Sequence, residues 1–215
     1  MKQYLVVGLG RFGGEVARAL VRGGSRVLGI DSDASRAQTL SEELERVVTG
    51  DATDIEVLRG LGARAFDSAI VSVGASLESS VLITLNLKEL GLNKVVAKAF
   101  SDLHRRILLK VGADIVVFPE KEAAAKVAEG LVSENILDIM DLGADCRIVE
   151  MLAGDMAGKT LGQLRLRQDY GINVIAVKRD GLVDLSPQAD RRIEAGDVLV
   201  VIGPSPAVRR LRHPG

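Results

Sequence analysis

The stretch Tyr4-Leu5-Val6-Val7-Gly8-Leu9-Gly10-Arg11-Phe12-Gly13-Gly14-Glu15-Val16-Ala17 decides how the rest of the chain is read. An apolar run, a glycine turn and the helical spacing of Val16, Ala17, Leu20 and Val21 follow one another. This is the pattern of a buried strand that turns tightly into an amphipathic helix. Gly8 permits the turn, Gly10 lets a pyrophosphate approach the backbone, and Gly13 lets the helix lie against the strand. The first N–H groups of the helix and its dipole then face the phosphates, so the turn is an anion seat.

Gly23-Gly24 ends that helix, and Arg26-Val27-Leu28-Gly29-Ile30 forms a second strand finishing at Asp31. An acid about 20 residues beyond the glycine turn, at the end of the next strand, is placed to accept a ribose hydroxyl pair. Asp33 follows, and its position suits either the nucleotide or the cap of the helix that begins at Ala34. Arg46-Val47-Val48-Thr49 is a third strand leading into Gly50-Asp51-Ala52-Thr53-Asp54. Ligands of doubly wound sheets lie beyond the carboxyl ends of the strands, which makes Asp51, Ala52 and Thr53 a candidate wall for the base. The alternative is that Thr53 or Asp54 does no more than cap the helix over 55–61.

Strands at 68–73, reaching Gly74, and at 94–98 and 115–118 alternate with helices at about 77–90, 102–111 and 119–133. Six strand–helix pairs predict an α/β fold, a Rossmann-like doubly wound parallel sheet. Beyond Glu134-Asn135, residues 136–143 read as a crossover segment, so the first domain is expected to span 1–138 and to include a crossover helix. From Cys146 the period changes to short strands at 147–151, 173–178, 182–184 and 198–202, with short helices near 160–164 and 207–211. That predicts a small α+β module over 139–215. About 75 residues is near the lower limit for an independent core, and unpaired strand edges invite partners. The module taken from about Asp141 is therefore expected to dimerise.

With 215 residues, 47% hydrophobic and 27% charged, the chain has an ordinary soluble composition. A net charge of -1 supplies no general field for nucleic acid or an anionic membrane. No apolar run approaches the roughly 18 residues of a membrane span, and Met1-Lys2 leads directly into a strand, so export and membrane insertion are not expected. The single Cys146 cannot form an internal disulfide; it is expected to be a small buried residue in a reducing cytoplasm.

The chain offers little for catalysis. Its histidines are His104, in a basic helical stretch, and His213, in the tail; its tyrosines are Tyr4 and Tyr170. Val174 stands four residues after Tyr170, so the Tyr-to-Lys spacing of short-chain dehydrogenases is absent, as are a GxSxG and a metal-ligand cluster. Gly154-Asp155-Met156-Ala157-Gly158-Lys159-Thr160 resembles a P-loop but has three residues between its glycines where four are needed. Thr160 and Gln163 instead fit a capping box. The reading is a nucleotide seat without a reaction, hence not an enzyme. Arg11, inside the glycine turn, either meets a terminal, highly charged phosphate or pairs with a nearby carboxylate.

These residues together closely resemble the RCK (regulator of potassium conductance, or KTN) family, the cytoplasmic regulatory subunits of bacterial Ktr/Trk potassium-uptake systems. The resemblance covers nearly the whole chain. It rests on the glycine turn, Asp31, Gly50-Asp51-Ala52-Thr53, Leu87-Lys88-Glu89-Leu90-Gly91, Val96-Ala97-Lys98-Ala99, Gly112-Ala113-Asp114 and Pro119-Glu120-Lys121. In the C-terminal part it rests on Gly158-Lys159-Thr160-Leu161, Tyr170-Gly171 and Gly196-Asp197-Val198-Leu199, which look like a TrkA-C module.

The resemblance implies dimers that assemble as an octameric ring beneath a membrane-embedded KtrB- or TrkH-like potassium-translocating subunit. The chain would then be cytoplasmic, held at the inner face of the membrane only through that partner, with ATP and ADP favouring different ring shapes. It implies Arg11 at the ATP γ-phosphate from the neighbouring subunit, Phe12 in the same turn, Lys98 at the nucleotide, Asp31 on the ribose, and Glu120 beside a divalent cation, Mg or Ca. Some such subunits take cyclic di-AMP between paired C-terminal modules. Arg167 and Asn173 match that region loosely, with Ile172 beside them. A different class stays open: Asp31 and the fold suit NAD(H) equally well, as in an oxidoreductase or an NAD(H) redox sensor.

Overall fold

The computed structural model describes residues 1–73, 76–132, 135–143 and 145–211; the side chain of Arg209 is not part of that description. The expected strand end at Gly74, the helix end at Ser133, the pattern change at Glu134 and the tail His213 lie outside the described residues. The chain divides into two compact units, Met1–Glu120 and Lys121–Gly215.

In the first unit, strands and helices alternate: β1 (Gln3–Val7), α1 (Arg11–Arg22), β2 (Arg26–Asp31), α2 (Ala34–Leu40), β3 (Arg46–Thr49) and α3 (Ile55–Gly60). A second half follows, with β4 (Ser68–Val71), α4 (Leu77–Glu89), β5 (Val95–Lys98), α5 (Asp102–Lys110), β6 (Ile115–Val117) and the start of α6 (Pro119–Val132). Among the described residues the strands form one parallel sheet in the order β3-β2-β1-β4-β5-β6, the doubly wound order expected from the alternation. Successive strand residues face opposite layers. Leu5, Val7, Leu28, Ile30, Ala69 and Val71 pack with Leu58, Ile83, Leu87 and Leu108 of α3, α4 and α5. Val6, Val27 and Ile70 face Ala17 and Leu40 of α1 and α2.

The order reverses between β1 and β4, and that is where a crevice must open, because the loops leaving these two strands run to opposite sides. Gly8 sits at this switch point with φ +89, where a side chain would collide with the Ser72 carbonyl after β4. A Cβ on Gly13 would run into the Gly8 carbonyl oxygen, so the helix approaches the turn only because that residue has no side chain.

The second unit is a five-stranded antiparallel sheet of described residues, ordered β10-β9-β11-β8-β7. Its elements are β7 (Ile136–Gly143), β8 (Cys146–Leu152), α7 (Leu161–Leu164), α8 (Leu166–Tyr170), β9 (Asn173–Arg179), β10 (Leu182–Asp184), β11 (Val198–Pro204) and α9 (Ser205–Arg210). Val149, Met151, Val177, Leu199 and Val201 from one sheet face pack with Leu166, Val208 and Leu211. The expected crossover segment at 136–143 is thus a strand of this sheet, paired with β8 from Ile136↔Met151 to Gly143↔Cys146. The expected boundary at 138/139, and the start at Asp141, fall inside that strand, whereas the two units part between Glu120 and Lys121. Thr160 and Gln163 do form the capping box. Cys146 is half-buried at the head of β8, not enclosed in the core.

Candidate functional site

The residues singled out in the first unit converge on the carboxyl edge of the parallel sheet. A cleft of about 220 Å³ opens there, lined by Gly8, Asp31, Asp51, Ala52, Thr53, Ser76 and Ser79. Asp31 ends β2 and is buried, and both of its oxygens are engaged by main chain. Leu9 N–H donates to its Oδ2 at 2.7 Å and Asp33 N–H to its Oδ1 at 2.9 Å. The acid therefore ties the glycine turn to the strand beside it as well as lining the cleft.

Asp33 is the helix cap. Its Oδ1 accepts from Ser35 and Arg36 N–H at 2.9 and 3.3 Å. Its carboxylate is exposed at the start of α2 and does not line the cleft. In the β3–α3 loop Asp51 Oδ1 accepts from the Thr53 hydroxyl at 2.7 Å and from Thr53 N–H at 2.9 Å. These bonds, the hydroxyl's first, hold the Asp51 carboxyl below the usual carboxylate range. Asp54, not Thr53, caps α3, so Thr53 is left to shape the wall.

The helix termini differ in a way that bears on ligand binding. Asp33, Asp54, Ser76 and Ser101 each supply a side-chain acceptor at the start of α2, α3, α4 and α5. Helix α1 begins after Gly10 with no side-chain cap. Its first N–H groups therefore keep their donor capacity for something outside the chain. A Cβ built on Gly10 would meet nothing within 4 Å, so the backbone there is open to approach.

Arg11 is the first residue of this helix; it is exposed and makes no ion pair among the described residues. Lys98, at the end of β5, lies 2.5 Å from Glu120 at the start of α6, and its ammonium sits 5.8 Å from the centroid of the Phe12 ring. The Lys98 hydrogen bond is the main cause holding the Glu120 carboxyl below its ordinary range, with a smaller contribution from the charge of Arg11. One carboxylate already bonded to a lysine is not a cation site on its own. Among the described residues no group of three or more His, Cys, Asp or Glu side chains could hold a metal. A divalent ion here would draw its remaining ligands from phosphates and water.

Two contributors escaped the sequence reading. Ser79 lines the cleft and bonds to the Ser76 cap. Asn86, buried in α4, donates to the Thr53 carbonyl at 2.9 Å and pins the wall from behind. Its signal was a lone amide in the apolar run 81–90. His104 is enclosed between α4 and α5, where its Nε2 shares a hydrogen bond with Ser80 Oγ at 2.7 Å. The Ser80 hydroxyl also lies within hydrogen-bond distance of the Leu77 carbonyl, and Nδ1 has no hydrogen-bond partner among the described residues. Burial pushes this imidazole's pKa down.

In the second unit Arg167 and Asn173 are both exposed, on α8 and at the start of β9. Ile172 between them is fully buried and contacts Gly203 of β11, which removes it from any exposed ligand seat. No described helix is long and apolar enough to cross a membrane.

The TrkA-N domain family matches residues 4–119 and the TrkA-C domain family residues 146–214. The Ktr system potassium uptake protein C of Bacillus subtilis (strain 168) is 42% identical over 203 residues, covering 94% of this chain and 92% of that protein. The Ktr system potassium uptake protein A of the same organism is 36% identical over 215 residues, 100% of this chain and 97% of that one. Among solved structures, the GsuK channel bound to NAD matches 100% of this chain and 40% of its own, with a TM-score of 0.71 at 23% identity. That likeness shows the fold.

Proposed function

Because the chain belongs to the TrkA-N/TrkA-C family, which it shares over its length with the Ktr-system potassium uptake proteins, we propose that it is a nucleotide-gated regulatory subunit of potassium uptake. In this reading it binds ATP and ADP, catalyses no reaction, and acts in the cytoplasm on a membrane-embedded KtrB- or TrkH-like translocating subunit. The observation that carries the nucleotide assignment is the uncapped start of α1, whose first residue, Arg11, is exposed and makes no ion pair among the described residues. Phosphates satisfy the free N–H groups, Asp31 takes the ribose, and the loop of Asp51, Ala52 and Thr53 borders the base.

The gating argument is one of differential binding. A ligand moves a conformational equilibrium only by its difference in affinity for the two states. A third phosphate adds charge at the end of the site where Arg11 and Lys98 stand, so ATP and ADP differ there and nowhere else. Assembly into dimers and an octameric ring would let Arg11 serve a neighbour's nucleotide. Paired C-terminal modules would bring two copies of the exposed Arg167 and Asn173 together for cyclic di-AMP, with no part for Ile172.

NAD(H) is the second reading, favoured by Asp31, whose place at the end of β2 serves the adenosine ribose of a dinucleotide as well as that of ATP. Thermal-shift and calorimetric titrations of the full chain with ATP, ADP and NADH separate the two. The proposal expects stabilisation by both adenine nucleotides with unequal affinity; equal or stronger stabilisation by NADH would replace it. Flux through vesicles holding the translocating subunit, with and without this chain, then tests regulation. Flux indifferent to the chain in both nucleotide states would end the regulatory reading.

A further inference from the structure

The second unit contains a cavity that the nucleotide site leaves unused. It measures about 180 Å³ and lies among β8, α7, α8 and the 3-10 turn at Gly154–Met156. Met151, Met156 and Leu164 are among its apolar lining, and five lining side chains carry polar groups: Asn135, Asp155, Lys159, Gln163 and Tyr170. A dry cavity of about 150 Å³ holds a benzene ring, so this one takes an aliphatic or aromatic group of comparable size.

The charged groups are what define the ligand. Asp155 and Lys159 both line the cavity, both are exposed, and among the described residues neither forms an ion pair or side-chain hydrogen bond, with the other or with any third group. Gln163 uses its Oε1 as acceptor for Thr160 N–H in the capping box, which leaves its amide N–H₂ as a donor. The cavity thus offers one anion, one cation, the amides of Gln163 and Asn135, the Tyr170 hydroxyl, and an apolar surface of methionine and leucine side chains.

We propose that this cavity binds a small zwitterion with an apolar side chain, an α-amino acid of the size of leucine or methionine. Its carboxylate meets Lys159 and the Gln163 amide, its ammonium meets Asp155, and its side chain lies among the methionines and Leu164. Thioether side chains adapt to irregular apolar shapes, so Met151 and Met156 suit a small range of such ligands. A bare fatty carboxylate would leave Asp155 facing a like charge, and a simple amine would leave Lys159 unmatched; the opposed charges select the molecule that carries both.

The test uses the full chain and L-leucine and L-methionine as probes, with 4-methylpentanoate and isopentylamine as the forms lacking one charge. The chain has four methionines, so carbon-13 labelling of their methyl groups gives a four-signal spectrum. Titration with L-leucine is expected to shift Met151 and Met156 and to leave the exposed Met140 unmoved. Lys159→Met and Asp155→Asn, both at exposed positions, should each weaken leucine binding at least about tenfold. No shift at millimolar leucine, binding of 4-methylpentanoate as tight as leucine, or full affinity in both variants would each overturn the site.

Discussion

Lys98 Nζ stands 2.5 Å from Glu120 Oε1, joining the end of β5 to the start of α6 across the carboxyl edge of the sheet. The cation assigned to the nucleotide and the carboxylate assigned to the metal are therefore bonded to each other. An incoming phosphate and an incoming divalent ion each compete for one half of this pair. For Glu120→Gln, nucleotide binding without divalent ions should persist or tighten a few-fold, because the Lys98 charge is no longer offset, while any divalent enhancement of the ATP state disappears. Magnesium titrations of the ATP-bound variant check this, and wild-type enhancement would exclude Glu120 as a ligand.

Arg11→Ala should discriminate between the nucleotides. Loss of a charge-assisted contact to the terminal phosphate costs about 1.5–3 kcal/mol, so ATP affinity should fall roughly ten- to a hundredfold and ADP affinity far less. Calorimetry with both ligands reads the difference; equal losses would assign Arg11 to general electrostatics.

Two glycines three residues apart should behave in opposite ways. Gly10→Ala meets open space at an ordinary backbone angle, φ -66, so the free protein should lose about 1 kcal/mol or less while nucleotide affinity drops at least tenfold. Gly13→Ala drives a methyl into the Gly8 carbonyl and should cost at least about 2 kcal/mol before any ligand is added. Melting temperatures without nucleotide and titrations with it separate the two effects.

His104 should give stability a mildly acidic dependence. Its folded pKa lies below the ordinary value of 6.5, so between the two pKa values the unfolded chain binds the proton that the folded chain refuses. Stability is then complete above about pH 6.5 and falls as pH drops through the window toward the folded pKa, at no more than about 1.4 kcal/mol per pH unit. The lowered carboxyls of Asp51, Asp114, Glu120 and Asp197 titrate in a more acid range, since their ordinary values are 3.8 to 4.5. Melting curves from pH 7.5 to 5 should slope for the wild type and flatten for His104→Gln, whose amide can still hydrogen-bond Ser80. Parallel slopes would exclude His104 as the source.

The first unit was legible because its signals are local and repeated. The glycine spacing, the strand–helix alternation and Asp31 at the end of β2 each fixed a position without knowledge of any other. What stayed hidden is three-dimensional. Ser79 and Asn86 reach the site from α4 only because β4 follows β1 in the sheet, and nothing near Asp51 in sequence announces them. Strand β7 is hidden for another reason. The pairing slips between Ile136 and Asp138 and again between Asp141 and Gly143, so its buried residues, Ile136 and Ile139, stand three apart and break the alternation that marks a strand. Helix α8 is five residues long and follows Arg165 at φ 48, too brief to leave a periodic trace.

Strand β7 also decides where this polypeptide can be cut. The C-terminal family match begins at residue 146, yet the sheet it describes has an edge that starts ten residues earlier. A recombinant fragment trimmed to the family match would strip Ile136 and Ile139 from Val149 and Met151 and leave the main chain of β8 bare, an aggregating fragment and not a smaller copy of the module. A fragment that opens at Lys121 keeps the strand whole. Genetic dissection of this chain, whether for expression, for chimaeras or for transplanting its C-terminal half, has its natural seam inside α6.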